Sequence, residues 1–220
     1  METVEQACET ILREITSDDA EVRSAYLTHF RREVEQFSQV MAEAIVSWRS
    51  LDSGAKDDAR LAYVSALVLT AITLNVNSLK LFISGQQVAA GNLFRQGLEA
   101  IAVALLCSSK DMDVLPRFMA GKYSTNHAIR DVNGKAKYLR LDKEAWKSFT
   151  VAQEVYNAYS HPTMFTIAAG ACFSGEGSYV GAAFDPCKLE AYAKEVSSRL
   201  SLANVFTHFI DSVKANVAKW

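Results

Sequence analysis

Apolar and polar positions alternate with a helical period over most of this 220-residue chain. Phe30, Val34, Phe37, Met41, Ala44 and Trp48 recur in steps of four and three, which lays one apolar seam along a single long helix over about 19–51. Asp18, with Glu21 three residues later, has the spacing of a capping box at its start. Asp57 and Asp58 precede a second helix, about Ala59 to Ser84, in which no charge falls between Leu61 and Leu79. A helix apolar all round belongs buried at the centre of a bundle. Beyond Gly85 and Gly91 an apolar helix runs to about Ser109. Pro116, Gly121 and the Asn133-Gly134 pair then break the pattern, so short helices and loops are expected over 111–141. Asp142 is placed to cap a helix over about Lys143 to Ser160, which Pro162 ends by pushing its predecessor out of the α region.

After Pro162 the pattern changes. Phe165-Thr166-Ile167 and Ser178-Tyr179-Val180 are strand-like around a turn at Ser174 to Gly177, which predicts a small β-hairpin. Asp185-Pro186 has the form of an N-cap and first-turn proline. The last helix carries Leu189, Tyr192, Val196, Leu200, Ala203, Phe206, Ile210 and Val213 on one face, to about Val217. With no repeat and no linker, the expectation is one mainly α domain over 1–220, an up-and-down-type helical bundle with the hairpin inserted before the C-terminal helix.

Composition narrows the class. Half the residues are hydrophobic and only three are proline, which excludes low-complexity disorder. The charged N-terminal stretch Met1 to Asp19 has no signal-peptide pattern, and Cys8, Cys107, Cys172 and Cys187 form no C-x-x-C pair, so the thiols read as reduced and the location as cytoplasmic. The uncharged run Leu61 to Leu79 has the length of a membrane span. Its scattered Ser, Thr and Asn, and the charges Arg95 and Glu99 in the next apolar run, favour a core helix and no membrane partner.

Charge is unevenly spread. Residues 1–60 carry thirteen acids against seven bases, whereas 117–147 carry eight bases against three acids. Lys122, Arg130, Lys135, Lys137 and Arg140 in that basic segment alternate with Phe118, Tyr123, Tyr138 and Trp146, a mixture suited to phosphate contact and base stacking, or to a solvated helix face over a core. Arg95 and Glu99 are an i, i+4 pair in apolar surroundings, either a buried structural ion pair or the wall of a polar pocket. No zinc spacing, E-x-x-H pair, phosphate loop or dinucleotide fingerprint occurs, so neither metal nor cofactor is expected.

The stretch Tyr156-Asn157-Ala158-Tyr159-Ser160-His161-Pro162 resembles the end of a HEPN-superfamily ribonuclease motif, in which an arginine, a polar residue and three variable residues precede a histidine. Asn157 and His161 have that spacing, but Tyr156 stands at the arginine position. Asn92-Leu93-Phe94-Arg95-Gln96-Gly97-Leu98-Glu99 is similar to a polar signature of a bacterial uncharacterised and phage-defence branch, so the resemblance covers about 60–185, with helices at 19–51 and 186–217 as additions. It implies an RNA-associated protein, a metal-independent ribonuclease or an RNA binder, in phage defence or a toxin–antitoxin system and acting as a homodimer. It places His161, Asn157 and Tyr156 at the catalytic position and Arg95 and Glu99 in a facing pocket. Imidazole moves protons near neutrality, but a tyrosine cannot replace a guanidinium on a phosphate. The other reading is a non-catalytic helical interaction module that buries a protein partner on the Phe30–Trp48 seam or the terminal helix.

Overall fold

The computed structural model describes residues 3–139, 141 and 143–220; Arg140 of the basic segment and Asp142, the expected helix cap, lie outside them. Its helices are α1 (Val4–Thr16), α2 (Ala20–Asp52), α3 (Ala59–Ile83), α4 (Gln87–Ser108), α5 (Val114–Met119), α6 (Ala128–Lys135), α7 (Lys143–Asn157), α8 (Met164–Gly170) and α9 (Leu189–Val217). The chain is mainly α, as the periodicity predicts.

Helices α2, α3, α4 and α9 pack around one core, and α5, α6 and α7 are laid against α4. The seam residues Phe30, Phe37, Met41 and Ala44 are buried, as are Tyr192, Val196, Ala203, Phe206, Ile210 and Val213 of α9. Gln87 donates to the Tyr192 hydroxyl near the start of α4 and Asn216 donates to Ser108 at its end, so α9 runs parallel to α4. That direction is possible because α7 first brings the chain back antiparallel, with Tyr156 against Phe94.

Local chemistry sets the boundaries. The Asp58 carboxylate accepts from the N–H groups of Arg60 (2.9 Å) and Leu61 (3.2 Å), and that of Asp185 from Cys187 (2.9 Å) ahead of Pro186. The start of α2 differs from the capping-box expectation: Asp18 accepts from Ala20, and Asp19 takes the N-cap position in the left-handed region at φ 55°. Between α3 and α4, Gly85 has φ +80°, and a Cβ there would lie 2.6 Å from the Ala183 nitrogen. Conformation and space both demand glycine at that corner.

Three expectations need correction. Helix α3 is not buried all round: Val64, Val68, Ala71, Ile72, Asn75, Leu79 and Phe82 face the core, while Tyr63, Thr70, Thr73 and Val76 are exposed. By length and composition it remains the one helix among the described residues apolar enough to cross a membrane. Helix α1 was not foreseen at all. The β-hairpin is absent too. Its first predicted strand is helix α8, in which the Thr166 hydroxyl accepts from the Thr163 N–H at the N-terminus and Ala168 and Ala169 favour helix. Only an isolated antiparallel bridge, Ala171 with Ser178, closes the predicted turn, where Gly177 has φ +99°.

Candidate functional site

The end of α7 is held from two sides by two arginine–glutamate pairs. In the interior, on α9, Arg199 Nη1 donates to Glu195 Oε2 at 2.7 Å, and its Nε donates to Ser78 Oγ of α3 at 2.9 Å. The Ser78 hydroxyl donates in turn to the Ala90 carbonyl on α4 (2.8 Å). The same Glu195 carboxylate accepts from the Tyr156 hydroxyl (3.0 Å) and the Tyr159 hydroxyl (2.9 Å). Arg199 is completely buried, and among the described residues its Nη2 has no hydrogen-bond partner. Its guanidinium carbon stands 4.6 Å from the Phe82 ring centroid, 5.4 Å from that of Phe94 and 6.0 Å from that of Tyr156. The negative faces of those rings offset part of what burying the charge costs.

The two tyrosines are therefore donors in a largely buried network whose carboxylate keeps a fifth of its side chain in solvent. Burial pushes the Tyr156 hydroxyl up to about 12; Arg199 opposes the rise and Glu195 adds to it. Tyr159 is raised further, by burial first and by Glu195 second. Its ring lies flat on the backbone of α4: a Cβ on Gly91 would come within 2.4 Å of the Tyr159 ring. Gly91 is the place where α4 admits the end of α7.

The second pair is at the edge. Arg95 Nε and Nη2 both reach Glu99 Oε1, at 3.0 and 2.9 Å, while Nη1 donates to Ser160 Oγ at 2.5 Å. Ser160 donates to Asn92 Oδ1 (3.1 Å), and Asn92 Nδ2 donates to the Tyr159 carbonyl (3.1 Å). The Arg95 side chain keeps 25% of its surface in solvent. The polar signature on α4 and the 156–162 stretch thus meet directly, across more than sixty residues of chain.

Beyond Ser160 the backbone leaves the helix, with His161 extended at φ −135° and ψ 156° ahead of Pro162. His161 and Asn157 are exposed, and among the described residues neither side chain forms a hydrogen bond. Tyr156, by contrast, is 3% exposed and points inward. The candidate set divides: Asn157 and His161 face solvent, Arg95 and Glu99 border them through Ser160, and Tyr156 belongs to the core.

The basic segment stands apart. Lys122, Arg130, Lys135 and Lys137 are exposed on or between α5, α6 and the turns around them. Tyr123 donates to Asp131 (2.9 Å) with Arg117 over its ring, Tyr138 is exposed with its hydroxyl on Asp111, and Trp146 is buried against Phe149. Of the four interleaved aromatics only Tyr138 is exposed enough to stack on a base. Helices α5 and α6 pack on α4, and its buried C-terminal half lies in the same core cluster. From Arg95 to Cys107 is twelve residues, about 18 Å along the axis. The basic segment and the end of α7 are both supported by α4.

Among the described residues no group of three or more His, Cys, Asp or Glu is placed to hold a metal ion. Comparison with known proteins found no matching family model, no matching curated sequence and no matching solved structure. The missed partner was Arg199. Tyr192, Val196, Ala203, Phe206, Ile210 and Val213 follow a four–three rhythm with one gap, and Arg199 fills it. An arginine in register with an apolar stripe is the signal that could have found it.

Proposed function

We propose that this is a HEPN-like, RNA-associated protein that engages single-stranded RNA at the edge formed by Asn157, His161 and Arg95. The observation that carries the reading is the meeting of the Asn92–Glu99 and Tyr156–Pro162 segments through Arg95, Ser160 and Asn92, with His161 and Asn157 left free in solvent. A free imidazole beside a partly exposed guanidinium offers a donor pair to one phosphate, and Lys122, Arg130, Lys135 and Lys137 supply charge farther along the strand.

The same geometry favours binding over cutting. A metal-independent ribonuclease of this kind needs a guanidinium aimed at the scissile phosphate. Tyr156 cannot provide one, and Arg199 beneath it is sealed from solvent. A role in phage defence or a toxin–antitoxin pair would then rest on recognition, with cleavage slow or lost. The packing of the Phe30–Trp48 seam and of the apolar stripe on the terminal helix into the protein's own interior supports the RNA reading over an interaction module built on them.

The test is an assay with labelled single-stranded RNA and tRNA, comparing wild type with His161→Ala and scoring retention and cleavage together. Salt-sensitive retention that falls in the variant supports the proposal. Metal-independent cleavage abolished by the substitution would make the protein a ribonuclease after all, and no retention at low salt would end the RNA reading.

A further inference from the structure

Cys172 and Cys187 are free thiols carried on two stretches of backbone that one carboxylate holds together. Asp185 is fully buried; its Oδ2 accepts from the N–H groups of Phe173 (2.6 Å) and Ser174 (3.3 Å), and its Oδ1 from that of Cys187 (2.9 Å). The neighbours of the two thiols touch as well. Lys188 Nζ lies 5.2 Å from the Phe173 ring centroid and 5.7 Å from that of Tyr179, and donates to the Ala168 (2.8 Å) and Ala169 (3.0 Å) carbonyls at the end of α8. Bonds to one carboxylate limit the Cys172 and Cys187 Cα atoms to a separation of roughly 11 Å. A disulfide needs about 4.4–6.8 Å. The difference falls on the 171–182 loop, whose strand-like pairing among the described residues is the isolated Ala171–Ser178 bridge.

The two thiols differ in their surroundings. Cys187 is exposed, whereas Cys172 is half-buried among hydroxyls. The Cys172 thiol donates to the Tyr179 hydroxyl at 3.1 Å, Ser174 Oγ stands 3.7 Å from the sulfur, and the Gly175 backbone lies so close that a Cβ there would be 3.5 Å from Sγ. Once the thiol loses its proton, both hydroxyls can turn theirs towards the sulfur, and bonds made to the charged form favour that form. The Tyr179 hydroxyl accordingly holds the Cys172 thiol below its ordinary range, with Ser174 adding to the effect and burial and Asp185 opposing it. A thiolate within reach of solvent is the reactive form of cysteine. Cys107 is the opposite case, a core thiol that burial pushes up to about 12.

We propose that Cys172 is a peroxide-reactive thiol and Cys187 its resolving partner, the two closing reversibly into a disulfide across Asp185. The Cys172 thiolate attacks one oxygen of hydrogen peroxide; the O–O bond breaks, Cys172 becomes a sulfenic acid and hydroxide leaves. The Cys187 sulfur then attacks the Cys172 sulfur, so that the S–S bond forms as the S–O bond breaks. The Cys187 proton departs with that hydroxyl as water, and the proton Cys172 gave up converts the hydroxide to a second water. Peroxide gains two electrons, the two thiols lose two, and exchange with a small dithiol restores the resting pair. None of the residues assigned to the RNA edge takes part.

The experiment treats the full chain with one equivalent of hydrogen peroxide at neutral pH, then alkylates, digests with trypsin and weighs the peptides. One tryptic peptide, 148–188, carries Cys172 and Cys187 and neither of the other cysteines. The expected product is this peptide about 2 Da lighter and closed to alkylation, returning to the dithiol on reduction. Cys187→Ser should stop at a Cys172 sulfenic acid that dimedone traps, and Cys172→Ser should give neither product. Before oxidation, Cys172 should react with iodoacetamide about tenfold faster than the exposed Cys8 at neutral pH. Tyr179→Phe should remove most of that advantage at neutral pH and change nothing near pH 10, where thiols are ionised in any case; a merely structural role for the hydroxyl would not give that dependence. A Cys172 that reacts no faster than Cys8 overturns the inference. So does a peroxide product in which Cys187 stays free, whether Cys172 remains a sulfenic acid or is joined to Cys8, Cys107 or a second chain.

Discussion

Two arginine–glutamate pairs, each spaced i, i+4, grip the five residues from Tyr156 to Ser160 and do opposite things with them. Glu195 and Arg199 lie in the interior, where the carboxylate collects both tyrosine hydroxyls and the guanidinium is fully enclosed by Ser78, Phe82 and Phe94. Arg95 and Glu99 lie at the rim, partly in water, and hold only the serine next to His161. Order along the helix differs as well: glutamate precedes arginine in the inner pair, which is the better orientation on a helix, and follows it in the outer one. The inner pair fixes where α7 ends. The outer pair sits where a ligand could compete for its charge. The difference in burial lies in the cations: Arg199 is fully enclosed and Arg95 a quarter exposed, whereas Glu195 at 20% and Glu99 at 12% are alike.

The sharpest way to break this contrast is to remove the inner cation. Arg199→Met leaves Glu195, a fifth of its side chain in solvent, without its cationic partner and should cost about 3 kcal/mol in urea unfolding, the lower end for a broken buried pair; a loss under 1 kcal/mol would mean the network is not a structural anchor. A smaller effect is expected from high pH. The folded Tyr156 hydroxyl is raised to about 12 from an ordinary 10, mainly by burial. The unfolded chain therefore releases this proton first, and stability present below pH 10 is lost as pH rises towards 12. Two pH units correspond to on the order of 2–3 kcal/mol. Unfolding measured between pH 9 and 12 should show that slope in wild type and a shallower one in Tyr156→Phe.

Next comes Gly91→Ala. The added methyl meets the Tyr159 ring and should cost about 1–3 kcal/mol through displaced packing, with little change if the ring is free to swing away. Smallest is Arg95→Met. Arg95 itself is a quarter exposed, but the Glu99 it leaves unpaired is only 12% exposed, so the loss should be about 1–2 kcal/mol, below that of Arg199→Met. Equal destabilisation by Arg95→Met and Arg199→Met would erase the distinction between rim and interior.

Much of the fold was legible in the sequence, and the reasons are particular. Helices α2, α3, α4 and α9 are long enough for periodicity to speak, and Asp58 and Asp185-Pro186 mark their starts by chemistry that is local. Helix α8 was misread because seven residues with Phe, Thr and Ile at the front have strand propensity, and only the Thr163–Thr166 capping contact and the alanines tip the balance. At the site, the Arg95–Glu99 pair stood out because its surroundings are apolar. Glu195–Arg199 did not, since Glu190 and Lys194 beside it make that stretch read as a solvated face. Which charge is buried depends on Ser78, Phe82 and Phe94, contributed by other helices, and no local pattern contains them.

The measurement that bears most directly on this division is fluorescence anisotropy of a labelled single-stranded RNA, titrated at several salt concentrations with wild type and Arg95→Gln. The account predicts a variant that stays folded, binds about five- to tenfold more weakly, near the ~1–1.4 kcal/mol of one charge-assisted contact, and shows a reduced salt slope. Unchanged affinity and slope would contradict it, and would return Arg95 to the same structural role as Arg199.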